Sequence, residues 1–163
     1  MTSEGDIQRL AGVLRELDEQ RTRFLSLADE LVASDGDGRS LTGDWNLRDL
    51  VAHVAFWDHH AADALELAVN GRGDSFSYDP ADTDRMNAET VIEAGRMDLD
   101  AARAWEDREF VAFRSRVAGL GPLLLDVRLG NGDTVEDVIR YDGPDHYAEH
   151  SGDLEDALRG EGG

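Results

Sequence analysis

The chain has 163 residues, a length that supports one hydrophobic core rather than two, so a single domain over residues 1–163 is expected. Its 36 acidic against 16 basic residues leave a net charge of −20, which repels phosphate backbones and anionic lipids and argues against nucleic-acid or membrane partners. There is no Cys and every base is Arg, so disulfides, Cys-based zinc fingers, a cysteine nucleophile, a Schiff-base lysine and a phosphate-loop lysine are all excluded.

The opening residues, MTSEGDIQRL, lack a basic region followed by an apolar one, and no apolar run approaches a membrane span, so a cytoplasmic protein is expected. From Ser3 to Ala33 apolar residues recur at helical spacing (Ile7, Leu10, Leu14, Leu17, Phe24, Ala28, Leu31), and Ser3 with Asp6 makes a helix start. The turn-rich SDGDGRSLTGD ends that helix. A second begins at Asn46, with Asp49 three positions on, and carries the stripe Leu50, His53, Val54, Trp57, Ala61, Ala64, Leu65. A long connection, GRGDSFSYDPAD, shows no periodicity and is placed to shape access to any pocket.

A short helix is expected over 83–94 and a longer one over 98–118, with Leu99, Ala102, Trp105, Phe110, Phe113 and Val117 inward. GLGP breaks it, and LLLDVRL alternates like a short strand. A last helical region starts at Thr134 with Asp137, is interrupted near Gly143 and Pro144, and resumes as DHYAEHSGDLEDAL. Four long helices with one long connection describe an all-α four-helix bundle.

All five histidines lie in two stretches, LVAHVAFWDHH and DHYAEHSGDL. His146 and His150, four apart on a helix, stack on one face, while His53 sits on the apolar stripe of another helix. One HxxxH pair arises easily by chance. A buried imidazole on an apolar stripe needs a partner, however, and a metal shared by three imidazoles satisfies all of them and leaves positions open. His53, His146 and His150 are therefore the candidate metal ligands, and imidazole-only ligation suits Zn, Ni or Fe. His60, two turns beyond His53, is a candidate proton-transfer group, as is Tyr147; His59 points aside, toward solvent. Glu149 is a further proton-transfer candidate, counted against because it is adjacent to His150 and expected to point away from it on a straight helix. Asp49 either orients His53 or simply caps its helix. Arg21 and Glu106 interrupt inward stripes; a buried ion pair is one reading, and snorkelling to solvent is the weightier one.

A divalent-metal-dependent enzyme is the first functional reading. In it the three-histidine site activates water or a low-molecular-weight thiol for attack on a small electrophile. Without Cys, any thiol is a separate small molecule. A protein that sequesters a small molecule without turnover, or a bundle clipped by a structural metal, uses the same constellation.

GDWNLRDLVAHVAFWD, DHYAEHSGDL and the NAETV stretch resemble segments of the DinB-like superfamily, in element order over nearly the whole chain. The resemblance implies a bundle with up-down-down-up connection and a long crossover between helices 2 and 3, homodimers, and a divalent metal on His53, His146 and His150. It also implies thiol-dependent isomerases or S-transferases using thiols such as mycothiol. The maleylpyruvate isomerase branch has Glu where this chain has His146. A branch of metal-independent cyclopropane hydrolases serving self-resistance has a tyrosine and a histidine that resemble Tyr147 and His150, which gives the alternative function.

Overall fold

The computed structural model describes residues 2–160, and the elements among them are helical. They are α1 (Glu4–Ala33), α2 (Leu47–Val69), α3 (Thr83–Ala94), α4 (Leu99–Ala118), α5 (Val135–Asp142) and α6 (Pro144–Leu158), with short 3-10 turns at Gly73–Ser75, Pro80–Asp82 and Pro122–Asp126. Three helices start on reciprocal capping boxes, Ser3 with Asp6, Asn46 with Asp49 and Thr134 with Asp137. Each cap contributes ~1 kcal/mol and sets where its helix begins.

The second helix is the centre of the structure. From Leu47 to Ala68 it buries residues on nearly every side, and it packs on α3, α4, α5 and α6. A helix apolar all round must be enclosed, and Ala at 52, 55, 61, 62, 64 and 68 lets neighbouring helices approach closely. The outer helix α1 lies against α6 and α4, contributing Val13, Leu17, Phe24, Ala28 and Leu31 to the core. Ile7 departs from the expected stripe and is 55% exposed; the face of α1 meets the core only from Leu10 onward.

Ion pairs line the helix seams. Arg103 meets Asp29 at 2.7 Å and Arg114 meets Asp18 at 2.7 Å between α4 and α1, and Glu66 meets Arg116 at 3.3 Å between α2 and α4. Such exposed pairs contribute little stability but record which residues are level with one another.

The strand expected in LLLDVRL does not form. Pro122 opens a 3-10 turn to Asp126, and only a single bridge joins Arg128 to Thr134, because one short extended segment has no second strand to pair with. This segment instead braces the long connection after α2: Gly130 N–H donates to the Gly73 carbonyl at 2.9 Å. A Cβ on Gly130 would collide with the backbone carbonyl oxygens of Asp74 and Phe76, so the close approach requires glycine. No helix among the described residues is long and apolar enough to cross a membrane.

Candidate metal centre

The start of α2, fixed by the Asn46 cap, sets Trp45 just ahead of the helix and places its ring against His53, centroids 4.7 Å apart. On α6 the i, i+4 spacing stacks His146 and His150, centroids 4.6 Å apart, on the face turned toward α2. The result is convergence. His146 Nε2 lies 2.9 Å from His53 Nε2 and 3.0 Å from His150 Nε2, and one ligand atom from each residue falls within 4.8 Å of the other two.

The protonation of this cluster is constrained. Asp153 Oδ2 is 2.8 Å from His150 Nδ1, so that nitrogen donates to the carboxylate and Nε2 is the atom turned toward the other two rings. His146 Nε2 faces two imidazole nitrogens and can satisfy one at most. Burial, then the charge of His150, pushes His53 down to about 3, and burial with the other two imidazoles holds His146 well below the usual range. A shared cation satisfies all three nitrogens at once. Nitrogens sharing one ion at ~2.1 Å stand a little over 3 Å apart, so the donor set fits after small ring rotations. The buried Nδ1 atoms of His53 and His146 have no hydrogen-bond partner, so no carboxylate or carbonyl orients those two rings from behind.

Asp49 does not reach His53. It completes the Asn46 capping box and takes Arg48 at 3.0 Å, so its capping role accounts for it. His59 is half exposed and pairs with Glu109 and Asp63 rather than facing free solvent.

The three imidazoles form part of the wall of a cavity of about 360 Å3 whose other walls include Trp45, Trp57, Tyr78, Asn87, Asp142 and Glu149. Trp57 Nε1 donates to Asn87 Oδ1 at 2.9 Å, joining α2 to α3 across it. Tyr78 comes from the connection after α2, as expected of that loop.

The structure does not bring the proton-transfer candidates His60 and Tyr147 into this cavity. His60 sits behind the wall, ringed by Trp57, Phe76 and Tyr78, with Nδ1 3.2 Å from Asp142 Oδ2. Tyr147, next to His146 on α6, is fully buried and turned into the core rather than the cavity. Its hydroxyl is 2.5 Å from Asp58 Oδ2 and 3.2 Å from Glu106 Oε2. One hydroxyl proton cannot serve two carboxylates. Its short donor bond goes to Asp58 Oδ2, and burial pushes Asp58 well above the usual carboxylate range. Glu106 is bound by Arg21 at 2.6 Å, and Arg21 stacks 4.1 Å over Phe110. The pair expected to snorkel is thus a core ion pair.

Two residues, Asp58 and Asp142, escaped the sequence reading, and the orientation of a third, Glu149, was misjudged. Asp58 is a lone acid between Val54 and Ala61 on the buried stripe of α2, a signal open to view. Asp142 lines the same cavity as His146, but lies across the break between α5 and α6 at Gly143. Glu149 was expected to turn away from His150, yet it lines the cavity because i and i+3 positions share the face that His146 occupies.

Residues 17–143 match the family model described as the mycothiol maleylpyruvate isomerase N-terminal domain. His53 lies inside the matched stretch, and His146 and His150 lie just beyond it. No curated protein matches the chain, and no solved structure does.

Proposed function

We propose, for a chain that belongs to the mycothiol maleylpyruvate isomerase N-terminal domain family, a metal-dependent enzyme that uses a low-molecular-weight thiol to act on a small electrophile. That family is one of DinB-like domains, in keeping with the resemblance. The observation that carries the reading is the meeting of three Nε2 atoms from two helices in the wall of a cavity. His53, His146 and His150 hold the ion, and Asp153 fixes the tautomer of His150. A divalent transition metal bound there supplies Lewis acidity, which makes a thiol or water nucleophilic near neutral pH. The cavity is sized for a small molecule, and its indole and phenol rings offer flat apolar walls beside the polar groups.

The pairs Arg103–Asp29 and Arg114–Asp18, with Glu66–Arg116, and Asp58–Tyr147 with His53–His150, support an up-down-down-up bundle of α1, α2, α4 and α6. The crossover between α2 and α4 carries α3. That arrangement turns the histidine faces of α2 and α6 toward each other.

The test is metal analysis of purified and zinc-reconstituted protein, followed by a thiol-conjugation assay over a panel of electrophiles. One ion per chain, lost in His53→Ala together with turnover, is expected. Because metal bound only to the folded state stabilises it, chelation should lower Tm of the parent and leave His53→Ala unmoved. A protein that takes up no stoichiometric metal refutes this reading in favour of the metal-independent hydrolase or sequestering alternative.

A further inference from the structure

The charges around the cavity say what kind of molecule it takes. Asp142 is 4% exposed, and only one of its oxygens is engaged within the chain: Oδ2 faces His60 Nδ1, whereas Oδ1 has no hydrogen bond and is not sealed from solvent. His60 is itself held among three aromatic rings, so Asp142 is fixed in place with one acceptor turned to the space it lines. Glu149 supplies a second carboxylate on the rim. Facing these acids are the rings of Trp45, Trp57 and Tyr78, and no Arg is among the residues lining the cavity. Burial raises Asp142 to about 6, which leaves it ionised at pH 7.5.

Two carboxylates and aromatic faces with no cation opposite make a poor receptor for an anion and a good one for an ammonium group. We propose that the cavity selects a thiol or substrate bearing a positively charged amine, and that Asp142, held by His60, is its specificity-determining residue. This rests on the thiol-using metal site argued above. His60 then acts through Asp142 as a positioning residue.

The test uses the full chain loaded with Co(II), whose thiolate charge-transfer band reports ligation directly. Three probes of similar size differ in the tail: cysteamine, 2-mercaptoethanol and 3-mercaptopropionate. Cysteamine should bind tightest and 3-mercaptopropionate weakest. Thiol acidity biases the series in the same direction, so the deciding quantity is the change in the cysteamine to 3-mercaptopropionate ratio on substitution. Asp142→Asn should reduce it by about tenfold, 1.4 kcal/mol, with cobalt content unchanged. Glu149→Gln, at an exposed position that does not threaten folding, should reduce it by at least twofold. An unchanged ratio in both variants overturns the inference and leaves the metal–thiol reading standing. A cobalt-loaded protein that gives no thiolate band with any probe overturns the thiol reading and this inference together.

Discussion

Replacing Arg21 by Ala isolates the polar network behind the histidines. Glu106 is 1% exposed and Arg21 16%, and the guanidinium reaches both carboxylate oxygens of Glu106 through Nε and Nη2. The substitution leaves a carboxylate in the core with Tyr147 as its remaining donor, while Asp107 at the surface adds only repulsion. Stranding one partner of such a buried pair costs about 3–5 kcal/mol, and the lost stacking on Phe110 adds roughly 0.5–1 kcal/mol. For a chain of this size, each kcal/mol corresponds to ~2–4 °C, so Tm should fall by roughly 10 °C or more. The assay is urea unfolding followed by circular dichroism in EDTA, with the slope checked for constancy. The double variant Arg21→Ala, Glu106→Gln should regain more than half of the loss, because the unpaired charge has gone. A single-variant loss below about 1 kcal/mol would refute the claim that Arg21 compensates a buried charge.

Two further outcomes follow from the same geometry. Asp142, raised from 3.8 to about 6 by burial, holds more protons in the folded than in the unfolded state between those values, so its ionisation opposes folding above pH 6 and the penalty fades as pH falls. In metal-free protein Asp142→Asn should therefore be more stabilising at pH 7.5 than at pH 4.5, by about 2 kcal/mol, measured as the difference from the parent at each pH; an equal effect at both would refute the shift. Gly130→Ala should push back the connection that carries Tyr78, since the new methyl meets the carbonyl oxygens of Asp74 and Phe76. A loss of about 1–3 kcal/mol and faster proteolytic cleavage within residues 71–82 are expected, and protection equal to the parent would refute the bracing role.

The helices were legible because their signals are local. Ser3, Asn46 and Thr134 each stand three residues before an acid, and apolar spacing carries α3 and α4 to within a residue of their observed ends. The histidine trio was legible for a related reason: HxxxH fixes two rings on one face, and His53 shares a stripe with Leu50 and Trp57. What stayed hidden depends on packing between elements. Whether Glu106 snorkels or is buried is decided by how closely α1 meets α4, and the length of an acid's side chain does not reveal it. The role of Asp142 depends on how α5 meets α6 at the break at Gly143, which spacing along the chain does not reveal. The alternation in LLLDVRL was genuine but not sufficient, since a strand exists only with a partner.

The two polar systems are consequences of one helix. On α6, His146, Glu149 and His150 face the cavity, and Tyr147 beside them is turned into the core. A helix holding ligands must resist rotation about its axis, because turning it by one residue's worth would carry both imidazoles away from His53. Apolar packing resists such rotation weakly, since Leu or Phe can repack with modest loss. A hydroxyl bound to Asp58 on α2 and to Glu106 on α4 resists it strongly, because any turn strands buried polar atoms on three helices at once. On this argument Tyr147 serves the site from behind, as the anchor that keeps α6 in register. Tyr147→Phe should therefore loosen metal binding without touching a ligand, a result that zinc-competition titration can read directly.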